Sequence, residues 1–466
     1  MSQIRELINK LSCNRDVTII ENDLPYIFIY QNDSCDIKLF NRDYLNMIRN
    51  NKNTLLTNLF VGLCKPIDSS NLDKIIELLF TGMMIIYEKK RRSFYFLDII
   101  SRQSRSPSDS ISEPDSLVGS RDGFVENAKI NLSLLRSRIK DDKLEIEEFS
   151  VGRRSKTKVM MLSISDITND DFIKEIKEKI DKIDIDALTT IEDITTCFQE
   201  NKLMPQYLYL GSPDIASRHL YNGEILLIID TIPNVVCLPN TIESFVKFRF
   251  EHSNMKLYSY IERAFLICSL ITSTFLIGIL SSFLTFQSDS LSLLLLSTLK
   301  VTQKGVFIPI YLEILLILFL FEMYYIVSFK SPKITLSSMV VLVGGIIIGQ
   351  NTIESGMVGV VIITIVALAF LSTFTISSNF TFITSLSLMR FIILASSAVF
   401  GIFGMTIASF YLLARITDES SFNTSYLFPF IPLDIEGIQK YSLFESSKRL
   451  VSRPYEMNTK NRRKKR

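Results

Sequence analysis

Two glutamates stand in an otherwise apolar stretch of this sequence. Glu313 and Glu322 lie within Gly305–Val327, together with Pro309. A carboxylate inside a membrane is costly, and it ordinarily faces a bundle interior or water. Two chemistries fit such a pair. One is attraction of cations along an ion path, as acidic rings do in channels. The other is ion pairing between helices or subunits, with Lys330, Lys333 or Arg390 as the cation. At about 100° per residue the two glutamates are half a turn out of phase and face opposite sides of one straight helix. Gln350 and Asn351 are the candidates for further polar lining.

The remaining reactive side chains form no recognisable motif. The two histidines, His219 and His252, lie far apart. The cysteines (Cys13, Cys35, Cys64, Cys197, Cys237, Cys268) make no CxxC and keep no regular spacing, which counts against a Cys/His zinc site. No Walker A, GxSxG, HExxH or EF-hand pattern occurs. The expectation is a non-enzyme with no catalytic residue, no cofactor and no metal ligand. The basic run Gly152–Lys158 fits a phosphate or an anionic lipid, but a solvated loop between two strands fits it better.

The elements that position these residues divide the chain sharply. Lys+Arg number 51 and Asp+Glu 49 among 466 residues, so global charge gives no argument for nucleic acid. The charge is concentrated in residues 1–263, and residues 264–414 carry very little. Residues 1–22 are polar and lack an apolar signal core, so the long N-terminal part is expected to be cytoplasmic.

Alternating strand and helix patterns run through that part. Val17–Ile20, Tyr26–Tyr30 and Phe94–Ile100 read as strands, and Asn71–Glu88 reads as a helix. Ser101–Ser120 is rich in Ser, Arg, Asp and Pro and reads as a linker. Helices at Phe124–Arg138, Asp170–Ile183 and Asp214–Tyr221 then alternate with strands at Leu144–Ser150, Lys158–Ile164, Tyr207–Leu210 and Glu224–Asp230. The predicted fold is an α/β cytoplasmic region of two subdomains followed by an α-helical transmembrane bundle. Its predicted divisions are an N-terminal subdomain at 1–100, the linker at 101–120, a second subdomain at 121–263, the membrane helices at 264–414 and a basic cytoplasmic tail at 415–466.

About 20 apolar residues of helix span a bilayer. Ala264–Ser288, Ile334–Ile353, Met357–Ile376 and Phe391–Ala414 are read as full spans. Ser377–Met389 is read as a loop or interfacial stretch, and Gly305–Val327 as interfacial or re-entrant. Lys247, Arg249, Lys256 and Arg263 precede the first span, and Arg449, Arg453, Lys460 and Arg462–Arg466 follow the last. Both flanks are therefore predicted to be cytoplasmic. The basic tail could equally serve as a contact for anionic headgroups. Gly345 and Gly349 form a GxxxG, while Gly401 and Gly404 belong to small-xxx-small pairs. Both patterns favour close helix contact within or between subunits.

Several segments together resemble one known family. Ser112-Glu113-Pro114 is followed by Gly119, Arg121, Gly123 and Phe124 within Val118–Asn127, then by Asn131-Leu132, Leu135–Lys140 and Gly152-Arg153-Arg154. Asp230 and Pro233 stand as in an Asp-Gly-x-Pro turn, with Thr231 where that turn has glycine. Val306–Pro309, Glu313, Glu322, Gly344, Gly349-Gln350, Gly356 and Arg453-Pro454 continue the match. This order and spacing resembles the GerA spore germination family, A-subunit type, and a SpoVAF-like paralogue resembles it as well.

The resemblance implies a protein of the spore inner membrane. It implies an A subunit that oligomerises into a germinant-gated cation conduit, with a transporter-like B subunit and a lipoprotein C subunit as partners. The paralogue would instead be an accessory of the dipicolinate transport system. A non-conducting membrane-anchored scaffold is the reading from a different class.

Overall fold

The computed structural model describes residues 2–97 in segments, 122–199, 203–242, most of 256–330, most of 358–431, and parts of 453–463. The predicted linker, Gly119 and Arg121 lie outside the described residues. So do His252, the predicted span Ile334–Ile353, Gly345, Gly349, Gln350 and Asn351.

The chain forms two compact units. One comprises residues 1–200, 206–240 and 450–466, and the other comprises residues 201–205 and 241–449. The first unit holds two five-stranded antiparallel sheets. The first sheet is built from β1 (Val17–Glu21), β2 (Tyr26–Gln31), β3 (Cys64–Ile67), β4 (Met84–Glu88) and β5 (Ser93–Leu97), in the order β1-β2-β4-β5-β3. Helix α1 (Ser2–Leu11) precedes it, and α2 (Leu72–Phe80) connects β3 to β4.

The second sheet repeats this plan. Helix α3 (Ala128–Arg136) precedes β6 (Leu144–Val151) and β7 (Thr157–Ile164). Helices α4 (Asp170–Asp181) and α5 (Ile191–Gln199) lead to β8 (Leu208–Leu210). Helix α6 (Pro213–Asn222) then connects to β9 (Ile225–Ile229) and β10 (Val235–Leu238), and the order is β6-β7-β9-β10-β8. Renumbered within each half, both sheets read 1-2-4-5-3 with every pair antiparallel. The two α/β subdomains are thus a tandem structural repeat.

The physical reasons are local. β2 and β9 bury every residue, so they read as apolar runs in mid-sheet. Asn127 caps α3 by accepting hydrogen bonds from the Lys129 and Ile130 N–H groups. The predicted helix over Asn71–Glu88 stops at Phe80. Gly82 takes φ +94°, and the apolar run after it becomes β4. A short apolar run has no period that separates helix from strand, and the left-handed glycine decides the matter.

A buried cation joins the repeats. Arg136 on α3 is fully buried, and its Nε donates to Asp16 Oδ2 (3.0 Å) while its Nη2 donates to Asp16 Oδ1 (3.2 Å). Gln31 Nε2 donates to the same carboxylate (3.0 Å), and the guanidinium carbon lies 4.2 Å from the centre of the Phe80 ring. Burial pulls the Arg136 pKa below its ordinary value, and Asp16 opposes that shift.

The tail returns to this unit. Lys460 pairs with Asp170 (2.7 Å), and its N–H donates to the Ile167 carbonyl (3.0 Å). Arg453 Nε donates to the Tyr221 carbonyl (2.7 Å). Met457 and Thr459 are buried. These basic residues are held by the protein's own carbonyls and carboxylate.

The second unit is helical: α7 (Lys256–Phe286), α8 (Leu293–Thr302), α9 (Ile310–Lys330), α10 (Val360–Ile376) and α11 (Phe380–Asp418). Among the described residues, Ala264–Phe286, Ile310–Val327 and Phe380–Asp418 are long and apolar enough to cross a membrane, and Val360–Ile376 is a shorter apolar helix. Within Gly305–Val327, read as interfacial or re-entrant, Ile310–Val327 is one continuous helix of spanning length and composition. One expectation is corrected here: residues 380–389, read as part of a loop or interfacial stretch, are the helical first turns of α11. Asn379 caps this helix, and the Thr384 and Ser385 hydroxyls donate to the carbonyls of Phe380 and Thr381. Hydroxyls satisfied in this way fit an apolar helix, so their loop-like composition misleads.

Candidate functional site

The polar groups among the apolar helices converge on α9 and α11. Glu313 sits in the first turn of α9 and is fully buried. Its Oε1 accepts a hydrogen bond from the N–H of Gly359, the residue that caps α10. A carboxylate there meets the positive end of a helix dipole. Its Oε2 has no hydrogen-bond partner among the described residues, and neither does Gln303 Nε2.

Glu322, more than two turns along, faces the other way. The Ser387 hydroxyl of α11 donates to its Oε1, and Arg390 Nη1 approaches the same atom at 3.8 Å. Arg390 is almost wholly buried. Its Nε donates to the Ser273 carbonyl of α7 (2.8 Å), and its Nη2 donates to Thr373 Oγ1 of α10 (2.5 Å). One guanidinium on α11 therefore reaches α7, α9 and α10. Aromatic contacts fasten the same faces: Phe321 stacks on Phe370, and Tyr325 meets Phe374 and Phe380.

The two predicted glutamates lie on opposite sides of α9, as their spacing required. Of the cations named as alternatives for pairing, Arg390 lies beside Glu322, while Lys333 and the Lys330 side chain lie outside what is described. The signal for Ser273, Thr373 and Ser387 was weak, because hydroxyls are common in apolar helices and only the fold brings them to one arginine.

The predicted packing glycines have distinct places. Gly401 takes φ +60° at a break within α11, and a Cβ there would meet Phe286 Cδ2 of α7 at 3.0 Å. Gly404 faces the backbone of Ser396 and the Phe400 side chain in its own helix, next to the break at Gly401.

The signature residues in the first unit hold turns. The Phe124 N–H donates to the Gly211 carbonyl (2.9 Å), and its ring is buried. Gly123 precedes it and is buried too. Gly152 has φ +93° and opens the loop between β6 and β7. The Arg153 and Arg154 N–H groups donate to the carbonyls of Ile185 and Asp186, and the Arg153 guanidinium grips Asp184 in a two-bonded fork (2.6 and 2.5 Å). Asp230 Oδ1 accepts from the Ala128 N–H (3.1 Å), and Thr231, at φ +74°, donates its N–H to the Glu126 carbonyl (2.7 Å).

Residues 3–456 match the model of the family described as Bacillus/Clostridium GerA spore germination protein. The chain belongs to the GerA family. Spore germination protein XA of Bacillus anthracis is 29% identical over 84% of this chain and 80% of its own length. Stage V sporulation protein AF of Bacillus subtilis is also 29% identical, over 84% of this chain and 79% of its own. Spore germination protein GerQA of Bacillus cereus is 26% identical over 93% and 88%. Among solved structures, the N-terminal domain of the A subunit of the Bacillus megaterium spore germinant receptor GerK3 aligns with a TM-score of 0.35 and 18% identity, over 50% of this chain and 92% of that one. In this GerA-family chain, apolar helices of membrane-spanning character carry Glu313, Glu322 and Arg390.

Proposed function

We propose that this chain is the A subunit of a spore germinant receptor. It oligomerises in the spore inner membrane and forms a cation conduit, with a transporter-like B subunit and a lipoprotein C subunit as partners. Its α/β subdomains and its tail face the cytoplasm. The observation that carries this reading is the family match over residues 3–456, in a chain whose apolar helices hold Glu322 against Arg390.

Gating requires a partner that binds two states of the helices unequally. Arg390 is suited to mark such states, because one side chain contacts three other helices. Glu313, Glu322, Gln350 and Asn351 are the proposed polar residues of the path, and Gly345 and Gly349 a proposed helix contact.

A second reading is favoured by the stage V sporulation protein AF match, equal in identity to the XA match. In it the chain is an accessory of dipicolinate transport. Deleting the gene and following early cation release from spores given candidate germinants tests the first reading. Loss of release for one class of germinant supports it. Normal cation release with impaired dipicolinate release favours the second. Reconstituted complexes that carry no current in any subunit combination would leave a non-conducting scaffold.

A further inference from the structure

We propose that His219, Glu224 and Cys237 are the ligands of a divalent transition metal of the zinc class, bound in the second sheet subdomain. Their spacing in the sequence carries no metal motif. The fold brings His219 Nδ1, a Glu224 carboxylate oxygen and Cys237 Sγ within 4.8 Å of one another. The three residues are 5%, 3% and 0% exposed, in a layer where β9 and the rest of β10 are wholly aliphatic. Glu224 Oε2 lies 2.5 Å from His219 Nδ1 and accepts from Cys237 Sγ at 2.8 Å.

The backbone sets two of the donors in place. At the end of α6 the Glu224 N–H donates to the His219 carbonyl (3.3 Å), and the Gly223 N–H donates to the Leu220 carbonyl (3.0 Å). With Gly223 at φ +100°, this is a Schellman turn. Its first and last residues ordinarily share a hydrophobic contact. Here they are an imidazole and a carboxylate.

The first repeat supplies an internal comparison. At the end of α2 the Met83 N–H donates to the Leu78 carbonyl (3.3 Å), and the Gly82 N–H donates to the Leu79 carbonyl (3.1 Å). This is the same turn, with Leu78 and Met83 in the places of His219 and Glu224. Strand register extends the match. Met84 pairs with Leu97 and Ile85 with Phe96, as Ile225 pairs with Leu238 and Leu226 with Cys237. Phe96 thus stands where Cys237 does. Leu78 and Phe96 pack against the apolar core of their half. The scaffold accepts leucine, methionine and phenylalanine at these positions, and in the second repeat all three are metal donors.

The donor chemistry selects the ion. A thiolate, an imidazole and a carboxylate make a borderline-soft set that suits zinc. Thiolate and carboxylate together neutralise a divalent cation, which offsets the cost of burying them. Ligand bonds of about 2.0–2.3 Å in a tetrahedron require donor separations of roughly 3.3–3.7 Å, so the two contacts of Glu224 would each open by about 1 Å. The fourth position is left for water or another donor. Thr459 of the tail lies over this turn, where a Cβ on Gly223 would meet its methyl at 2.5 Å. Metal binding would therefore stiffen the surface on which the tail rests.

The test uses the full chain in detergent. Cobalt is titrated as the optical probe and zinc as the competitor. The expected result is a single equivalent with a thiolate-to-cobalt charge-transfer band, displaced by zinc. His219→Gln and Cys237→Ser should each weaken binding by at least roughly a hundredfold. The triple variant His219→Leu, Glu224→Met, Cys237→Phe should abolish the band while keeping the circular dichroism of the parent. A parent without the band, or a band that survives in the triple variant, overturns the proposal. Should the triple variant not fold, alkylation of the parent decides. Zinc should slow labelling of Cys237 by at least about tenfold and leave Cys197 unchanged; equal rates at Cys237 with and without zinc also overturn it.

Discussion

Arg390 Nη1 lies 3.8 Å from Glu322 Oε1 and has no hydrogen-bond acceptor of its own among the described residues. The Ser387 hydroxyl holds the glutamate oxygen, while the other two arms of the guanidinium are held by α7 and α10. The pair is therefore joined by charge more than by a hydrogen bond.

Removing one partner of this pair is expected to cost more than removing both. Glu322→Leu leaves a buried guanidinium without its counter-charge, at about 3–5 kcal/mol. Glu322→Leu with Arg390→Met should recover most of that loss. Unfolding of the detergent-solubilised single and double variants measures the coupling. Additive losses would show that the pair contributes nothing beyond its separate contacts.

A similar cost is expected where the repeats meet. Asp16→Ala removes the counter-charge of the buried Arg136 guanidinium, which still donates to the carbonyls of Asp141 and Leu144. The expected destabilisation is about 3 kcal/mol, read from denaturant unfolding of the full chain. A loss below about 0.5 kcal/mol, the usual scale of a surface change, would contradict the burial of this pair.

Thr231 is a strained position. A β-branched residue at φ +74° occupies the left-handed region that glycine enters freely. Thr231→Gly is expected to raise stability by about 1 kcal/mol, with the Ala128 to Asp230 bond retained. A lower melting temperature in that variant would count against the strain.

The thiol of Cys35 reports on the first sheet. Burial pushes its pKa up to about 12, and its Sγ donates to the Gly82 carbonyl (3.1 Å). A raised thiol pKa stabilises the folded state only while the unfolded thiol is also protonated. Above the ordinary pKa of about 8.5, the unfolded chain ionises and the folded chain does not. Stability should therefore fall as pH rises from there toward 12. Cys35→Ala should flatten this alkaline slope, and a slope unchanged by the substitution would assign it to other groups.

Much of the second subdomain was legible. Leu144–Ser150 alternates, and Asp170–Ile183 carries a helical apolar stripe; both elements form within a residue or two of the reading. Elements without a clean period were harder. Cys64–Ile67 contains a proline and sits at a sheet edge, where a missing N–H is tolerated. Val235–Leu238 is short and wholly apolar. The spacing of Glu313 and Glu322 revealed their opposite faces, but not their partners. Pairing with Gly359, Ser387 and Arg390 depends on how separate helices dock, and no local pattern encodes that. The His219, Glu224 and Cys237 cluster was hidden for the same reason: strand pairing, not sequence spacing, brings Cys237 to the turn.

The docked tail has a topological consequence. Residues 1–200 and 206–240 and the segment around Arg453 to Arg463 belong to one compact unit. The chain between them is thus an excursion that leaves a body and comes back to it. Any such path through a bilayer crosses an even number of times, whatever the length of its individual helices.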